Sequence, residues 1–307
     1  MSYVAGFGIV NCDLLYSGLT RLPTEGEKLF ARGIDLLLGG GVPAVMIHLN
    51  RLGVPVQFST FLGRDRFSRF ARTQLKRAGV PFQNLYHGNG MPVNVTSVAI
   101  TPDDRTFLSY RDEVPITDAI KEKIYEQFRG ASIVRMHNAL YDVYARLKRE
   151  NPDVCLVMDT GWDETMSIET FEQYLEIADY YTPNCKEALK LTSTRDPHRA
   201  AEVLSHYFKA AIVKLGGEGC LIRCGGAEEI IPAVPGIDAV DATGAGDAFI
   251  SGFIYGLYHG YPVRDCVCFG NITGGECVRN IGCLSGHINE AQLLSMAESV
   301  YGNLRVG

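Results

Sequence analysis

The sequence has 307 residues, 46% hydrophobic and 21% charged, so it can bury a large core without disulfide bonds or a structural metal. Its net charge of −6 argues against a nucleic-acid-binding protein, which normally carries a basic face. No segment approaches the ~20 apolar residues that span a bilayer, and the nine cysteines lack C-x-x-C spacing, so we expect a cytoplasmic protein with free thiols and no membrane contact.

Two regions in the first half of the chain predict β-hairpins. Residues 14–37 and 93–114 contain short alternating segments with turn residues such as Gly26 and Pro102. These hairpins interrupt an otherwise regular strand–helix order. We therefore expect a small β-structure that stands off the main sheet and closes over a ligand.

The second half of the chain alternates short strands with amphipathic helices. Residues 133–137, 154–159 and 211–215 are apolar and bounded by polar residues or glycine, which predicts buried strands. Helical patterns at 165–178 and 197–208 lie between them. This order predicts an α/β fold, in which a parallel sheet is covered by helices on both faces.

The most informative segment is 240–249, which contains a glycine-rich turn followed by apolar residues at helical spacing. Gly244, Ala245 and Gly246 therefore lie at a helix N-terminus, where free backbone N–H groups and the helix dipole favour an anion. Asp247 follows in the first turn of the helix. A carboxylate there can simply complement the dipole, but beside an anion site it is better explained as a base that deprotonates an attacking hydroxyl. The combination indicates phosphoryl transfer.

Two other nucleotide-binding motifs are excluded. No G-x-x-x-x-G-K-[ST] segment occurs, so the chain is not a P-loop enzyme. The dinucleotide fingerprint fails at this turn because Asp247 and Phe249 occupy positions that need small residues. Asp241 and Thr243 precede the turn, and either orient it or supply oxygen ligands to a cation beneath it.

Segment 241–247 resembles the D-T-x-G-A-G-D motif of the PfkB, or ribokinase-like, carbohydrate kinase family. Other segments also resemble family motifs, in the family's order: the glycines at 39–41, the G-x-D-x-F-G-like stretch at 63–67, N-x-x-E at 184–187 and the nucleotide loop at 214–219. Because these motifs extend over essentially the whole chain, the sequence is identified as a member of this family.

The resemblance implies a three-layer α/β/α ribokinase-like fold with a mostly parallel central sheet. Residues 1–307 would form a single kinase domain, with a small β-sheet lid formed by about residues 14–37 and 93–114. The implied activity is ATP-dependent phosphorylation of a hydroxyl, a primary alcohol in the leading hypothesis, on a sugar or sugar derivative. A nucleoside kinase of the same family is the alternative, and a catalytically silent sugar-binding sensor is a remote one. The exposed edges of the lid would allow a homodimer.

The resemblance also assigns roles around the phosphoryl group. Asp247 would take the proton from the acceptor hydroxyl, while the amides of Gly244, Ala245 and Gly246 hold the transferring group. The residues near ATP would be Asn184, Lys214, Gly216, Gly219 and Asn271.

Two cations are implied in different ways. Glu187 would act near Mg²⁺ through water, because Mg²⁺ keeps much of its hydration shell. Without the family, Asn184 and Glu187 would be explained as a helix-capping pair. Whether K⁺ binds is left open by the resemblance; its oxygen ligands would come from Asp241 and Thr243 and from the backbone near Cys277, Asn280 and Gly282.

The acceptor site is implied near the start of the chain. Asp13, with Asn11 beside it, follows the first predicted strand, and a family Asp here accepts hydrogen bonds from substrate hydroxyls. Gly40 and Gly41 would let the substrate lie close to the backbone.

The chain departs from the family after these glycines, because Ala44 or Val45 stands where relatives have a substrate-binding Asn. We therefore expect a more apolar pocket. Arg111, or else Arg135 or His137, would replace the missing contact, and an arginine there would suit a carboxylate on the substrate. The alternative for Arg111 is a surface charge paired with a neighbouring acidic residue.

Overall fold

The computed structural model describes residues 2–302 and 304, in which short strands alternate with helices. The strands are β1 Val4–Phe7, β2 Asn11–Ser17, β3 Gly33–Gly39, β4 Val56–Thr60, β5 Phe82–Asn84, β6 Asn94–Ile100, β7 Arg105–Tyr110, β8 Ile133–Arg135, β9 Cys155–Met158, β10 Tyr180–Tyr181, β11 Ala210–Lys214, β12 Cys220–Cys224 and β13 Ala227–Ile231. The helices are α1 Gly41–Arg51, α2 Arg66–Arg77, α3 Asp118–Phe128, α4 Tyr141–Glu150, α5 Ile168–Ile177, α6 Cys185–Thr192, α7 Pro197–Leu204, α8 Ala245–Tyr258, α9 Val263–Cys277 and α10 Glu290–Tyr301.

The central sheet has the strand order β10-β9-β8-β1-β4-β5, and each neighbouring pair is parallel. Successive residues of a strand point to opposite faces, so both faces must be covered when every residue is apolar. In β1, Ala5 and Phe7 pack in a cluster with α3 to α7, whereas Val4 packs in a second cluster with α1, α2 and α8 to α10. The three layers confirm the predicted fold class.

A separate four-stranded sheet has the order β3-β2-β6-β7, and we call it the lid sheet. Its hairpins β2–β3 and β6–β7 are antiparallel, and β2 pairs with β6 in parallel. These strands lie in or next to the two regions where hairpins were predicted. The sheet begins at Asn11 rather than near residue 14, so Asp13 is part of a lid strand.

The strand predicted at 211–215 is present as β11, but it pairs differently from the expectation. β11 is antiparallel to β12, which is antiparallel to β13. These strands follow one another without a crossover helix, and short connections require antiparallel pairing. An isolated parallel bridge between Asn184 and Lys214 links β11 to the region after β10.

The structure bears on two expectations from the sequence, one about membrane-spanning helices and one about the cysteines. No helix within residues 2–302 is both long and apolar enough to cross a bilayer. The nine cysteines are free thiols and most of them are buried, as expected from their spacing.

Candidate active site

Two adjoining cavities lie between the lid sheet and the carboxyl ends of the central strands, where α/β folds commonly bind ligands. The larger one, the cleft, has a volume of about 1430 Å³, and the smaller one, the chamber, about 270 Å³. The residues that line both spaces are Asn11, Gly40, Gly41, Thr96, Ser109, Gly244 and Asp247. Asp247 therefore stands where the cleft and the chamber meet.

The turn at residues 244–246, which we call the anion turn, leads into α8. Gly244 has φ 79°, and a Cβ on it would lie 2.1 Å from the Cβ of Cys283, so only glycine fits there. Ala245 donates its N–H to the carbonyl oxygen of Ala242 at 3.2 Å. One of the three amides predicted to hold the phosphoryl group is thus engaged within the turn, while Gly244 and Gly246 line the cleft.

Asp247 is half-buried in the first turn of α8. A Cβ on Gly41 would lie 3.2 Å from its Oδ1, so the start of α1 approaches the carboxylate closely. Burial, with the charge of Asp159, raises the pKa of Asp247 to about 6, against the opposing charges of Arg135 and Lys214. A carboxylate with this pKa is ionised at neutral pH and still accepts a proton readily, as a general base must.

The end of β11 brings a positive charge to the anion turn. The Nζ of Lys214 lies 3.1 Å from the position that a Cβ on Gly246 would take, and both residues line the cleft. The backbone of Lys214 is held in place, because its backbone N–H donates to the carbonyl oxygen of Pro183 at 2.9 Å. The lysine and the helix N-terminus together favour a phosphate between them.

A buried ion pair forms part of the cleft wall beside Asp247. The Nη2 of Arg135, at the end of β8, lies 3.2 Å from the Oδ2 of Asp159, which follows β9. The Nε of Arg135 is buried without a hydrogen-bond partner among the described residues. His137 also lines the cleft, and burial together with the charge of Arg135 lowers its pKa to about 4, so it is neutral at physiological pH.

Asn184 and Glu187 form the capping pair that local reasoning predicted, and they also line the cleft. The Asn184 N–H donates to the Oε2 of Glu187 at 2.9 Å, and the Glu187 N–H donates to the Oδ1 of Asn184 at 3.0 Å. Burial and the charge of Asp159 raise the pKa of Glu187, although Lys214 opposes this. No group of three or more His, Cys, Asp or Glu among the described residues could hold a metal alone. A hydrated Mg²⁺ that also contacts phosphates therefore fits this donor set better than a protein cage.

The acceptor residues predicted near the start of the chain lie on the lid side. Asp13 lines the chamber, where burial raises its pKa to about 6, and one of its carboxylate oxygens accepts from the amide of Asn11. The hydroxyls of Thr96 and Ser109, on neighbouring strands, lie 3.0 Å apart at the boundary of the two spaces. These groups provide donors and acceptors for a polyhydroxylated ligand.

The prediction that Ala44 or Val45 stands at a substrate-facing position of the pocket was wrong. α1 begins at Gly41, so both residues fall on the helix face that packs into the core, with 1% and 0% of their surface exposed. The cleft wall instead contains Val42 from this helix and Asn94 from β6. The lining of the cleft is therefore a mixture of polar and apolar groups.

Arg111 is exposed at the rim of the cleft, just after β7. Its neighbour Asp112 accepts hydrogen bonds from the Tyr110 hydroxyl at 2.7 Å and from the Met91 N–H at 2.8 Å. Arg111 makes no ion pair within the described part of the chain. The alternative of a surface charge paired with an acidic neighbour is thus absent from this structure.

Three residues predicted near ATP do not line the cleft in the described part of the chain. Gly216 lies in a 3-10 turn that directly follows β11, next to Lys214. Gly219 has φ 103°, and a Cβ there would lie 2.1 Å from the carbonyl oxygen of Ile231, so packing against β13 already requires glycine. Asn271 is buried in α9 and donates its amide to two backbone carbonyls at the end of β13.

Of the residues predicted for K⁺, Thr243 and Gly282 contact Asp241, but a cationic side chain is already there. The Nη1 of Arg105, the first residue of β7, donates to Asp241 and to the hydroxyl of Thr243. Gly282 donates its N–H to the Oδ2 of Asp241 at 2.8 Å. The other two predicted ligands lie nearby in the chain: Cys277 contacts the Thr243 carbonyl, whereas Asn280 is exposed.

Sequence reasoning missed Arg105 and gave no role to Asp159. Arg105 directly follows the turn residues Pro102, Asp103 and Asp104 within the predicted hairpin at 93–114. The sequence shows an arginine near the start of a predicted lid strand, but neither the residue type nor its position indicates which side chain it contacts. The pairing of Asp159 with Arg135 depends on β8 and β9 being neighbours in the sheet.

The comparisons with known proteins agree with this geometry. The family model described as pfkB family carbohydrate kinase matches residues 1–290. The chain is 25% identical over 297 residues to a ribokinase of Lactococcus lactis, covering 93% of this chain and 94% of that protein. It is 25% identical over 304 residues to a 2-dehydro-3-deoxygluconokinase of Bacillus subtilis, covering 91% and 90%.

Among solved structures, ribokinase of Arabidopsis thaliana complexed with ribose and ATP superposes with a TM-score of 0.83 at 23% identity. This superposition covers 97% of the present chain and 99% of the other one. The fold is therefore shared over the whole length, and the family predicted from the motifs is confirmed. The chain belongs to the pfkB family of carbohydrate kinases.

Proposed function

We propose that this protein transfers the γ-phosphoryl group of ATP to a hydroxyl of a sugar or sugar derivative, with Asp247 as the general base. The observation that carries the proposal is the position of Asp247, which faces both the cleft and the chamber beside the N-terminus of α8. A hydroxyl in the chamber and a phosphate in the cleft would meet at this carboxylate. Asp247 would then take the proton from the attacking hydroxyl at the place where the phosphoryl group is transferred.

The anion turn and Lys214 stabilise the charge that develops on the transferring group. The absence of a side chain at Gly246 leaves room for an oxygen close to the backbone, and the Nζ of Lys214 lies 3.1 Å from the position that a Cβ would take there. Phosphoryl transfer needs positioning and electrostatic stabilisation more than covalent help from the protein. In this scheme, ATP lies along the cleft with its terminal phosphate at the anion turn.

Mg²⁺ would neutralise charge on the phosphates when bound. Glu187 and Asn184 would hold it through water, because the Glu187 carboxylate is buried and faces the same cleft as Lys214. The capping hydrogen bonds fix the Asn184 and Glu187 side chains at the start of α6, so these side chains would orient the hydrated ion.

The acceptor is proposed to be a polyhydroxylated molecule with a primary alcohol. Asp13, Asn11, Thr96 and Ser109 offer carboxylate, amide and hydroxyl partners on the inner face of the lid sheet. Named relatives include a ribokinase and a 2-dehydro-3-deoxygluconokinase, so neutral sugars and sugar acids are both included in this class. Arg111 at the rim suits an acidic group.

The direct test is a screen of sugars, sugar acids and nucleosides with ATP and Mg²⁺, followed by coupled detection of ADP. We expect ADP release that depends on one acceptor class, with an equal amount of phosphorylated product. An Asp247→Asn variant purified in the same way controls for a contaminating kinase. Tight acceptor binding without turnover for any compound would overturn the proposal in favour of a sugar-binding sensor.

We also propose that the lid sheet mediates a homodimer. Its edge strands β3 and β7 expose Ile34 at 62%, Phe107 at 58% and Leu108 at 77% of their surface. Exposed apolar edge strands are commonly covered by a partner. Analytical ultracentrifugation would test this, with Leu108→Lys expected to shift the protein to a monomer; a wild-type monomer at all concentrations would contradict it.

A further inference from the structure

Arg105 forms a direct link between the lid sheet and the loop that precedes the anion turn. It begins β7, an edge strand of the lid sheet, and its guanidinium donates to Asp241 and Thr243. The Arg105 and Asp241 side chains are 29% and 9% exposed. This ion pair is therefore partly shielded from water and is stronger than a fully exposed pair.

Both carboxylate oxygens of Asp241 already accept hydrogen bonds, and Oδ1 accepts from three donors. Its Oδ1 accepts from the N–H and the hydroxyl of Thr243, at 2.9 and 2.7 Å, in addition to Arg105. Its Oδ2 accepts from the N–H of Gly282 at 2.8 Å. Although burial raises the pKa of Asp241, these hydrogen bonds and the Arg105 charge bring it below its ordinary value, so the carboxylate is charged.

A monovalent cation at the side-chain oxygens of Asp241 and Thr243 does not fit this arrangement. It would have to replace the guanidinium, or stand beside a like charge at the same two oxygens. The Arg105 side chain is also part of the lid, so its effective concentration at Asp241 depends on where the lid sheet lies and not on the ion content of the solution.

We propose that Arg105 takes the place of a bound monovalent cation and so makes the anion turn depend on the position of the lid. This inference rests on the proposed kinase function. The guanidinium neutralises Asp241, which fixes the loop before Gly244. Arg105 also lines the chamber together with Asp13 and Asp247. Closure of the lid sheet over an acceptor in the chamber therefore also places Arg105 against Asp241, which completes the anion turn. Arg105 is thus a positioning residue, since it acts on the reaction through Asp241.

The test compares the wild type with Arg105→Ala and Arg105→Lys in buffers in which choline chloride replaces KCl at constant ionic strength. Wild-type turnover is expected to be the same in both salts. Arg105→Ala should lose about 10- to 100-fold in kcat in choline, the range for loss of a hydrogen bond to a charged group. KCl or guanidinium chloride should restore part of that loss, and Arg105→Lys should lose less.

The matched control is Arg21→Ala, which removes another arginine of the lid region that pairs with Glu27 instead. This control should behave like the wild type in every salt. The proposal is overturned if wild-type turnover falls at least tenfold in choline and recovers with KCl. It is also overturned if Arg105→Ala keeps full activity, does not respond to either cation, or loses activity only with anionic acceptors, which would make Arg105 a substrate-binding residue.

A melting experiment separates this inference from the kinase proposal, because it needs no turnover. KCl should raise the Tm of Arg105→Ala relative to choline chloride and leave that of the wild type unchanged. If Arg105→Ala does not fold, Asp241→Asn serves in its place. The double variant Arg105→Ala with Asp241→Asn should be more stable than Arg105→Ala alone, because it contains no unpaired carboxylate at position 241. Additive losses in the double variant would contradict the charge-neutralising role.

Discussion

The two walls of the cleft are built in different ways. The core wall carries Asp247, Lys214, Asp159 and Glu187 at strand ends and helix starts, where neighbouring elements hold each side chain. The lid wall carries Thr96, Ser109 and Arg111 on or next to a thin sheet that also exposes large apolar residues. The core wall is thus charged and held by neighbouring elements, whereas the lid wall is more exposed and combines hydroxyl, amide and charged groups.

This difference indicates a division of labour. Charged groups that must be placed accurately for phosphoryl transfer lie on the core wall, as preorganised electrostatic catalysis requires. Groups that recognise the acceptor lie on the wall that can move, as in enzymes that close over a substrate. We therefore expect substitutions in the core wall to lower kcat, and substitutions in the lid wall to act mainly on the KM of the acceptor.

The largest effect is expected for Asp247→Asn. The amide keeps the shape of the side chain but cannot accept the proton, so kcat should fall by at least ~10²-fold. The acceptor KM should change little. Steady-state kinetics with Asp153→Asn as a matched control, since Asp153 is an exposed carboxylate that does not line the cleft, measures the effect. A nearly normal kcat would remove Asp247 from its role.

A smaller loss is expected for Lys214→Met, which keeps the length of the side chain and removes its charge. The loss of one charge-assisted contact to the phosphoryl group should lower kcat/KM for ATP by about 10- to 100-fold. Lys209→Met removes an exposed lysine close by in the chain and should have no effect. Equal kinetics for the two variants would place ATP elsewhere.

On the lid wall, Arg111→Ala tests acceptor recognition. The KM should rise by about tenfold for an acceptor that carries a carboxylate and stay unchanged for a neutral sugar, since Arg111 is exposed and makes no ion pair with another described residue. The exposed Arg149 on α4 provides the control variant, Arg149→Ala. A fall in kcat with unchanged KM would contradict the division between the walls.

The smallest effect concerns stability. Asp247 has a raised pKa of about 6 in the folded state against an ordinary value of 3.8, so its ionised form destabilises the fold above about pH 6. This destabilisation disappears as the pH falls from about 6 towards 3.8, because the folded protein takes up the proton at a higher pH than the unfolded protein does. Asp247→Asn should therefore raise the Tm by roughly 2–4 °C at about pH 8 and by less at about pH 4. A lower Tm at both pH values would contradict this.

The core wall was largely predictable from the sequence. The helix start at Gly244, the charge at Asp247 and the capping pair Asn184 and Glu187 depend on local spacing, and local spacing is what a sequence displays directly. The alternation of strands and helices likewise predicted the three-layer fold. The antiparallel course of β11 to β13 was not predicted, because the last predicted strand is the one at 211–215.

The lid wall and the long-range pairs were less predictable. Arg105 and Asp241 are separated by 136 positions, so their contact depends on how the lid sheet is placed over the core. The Arg135–Asp159 pair requires β8 and β9 to be neighbours. Val45 was assigned to the pocket by position in a motif, but the helix that begins at Gly41 turns it into the core.

The pH dependence of kcat/KM with a neutral acceptor tests the central claim most directly. If Asp247 is the base, kcat/KM should be level above a pH of about 6 and fall below it, and the fall should be steeper in the wild type than in Asp247→Asn, which keeps Asp13 with its pKa of about 6. A wild-type profile without this fall, or an equally steep fall in the variant, would show that another group takes the proton.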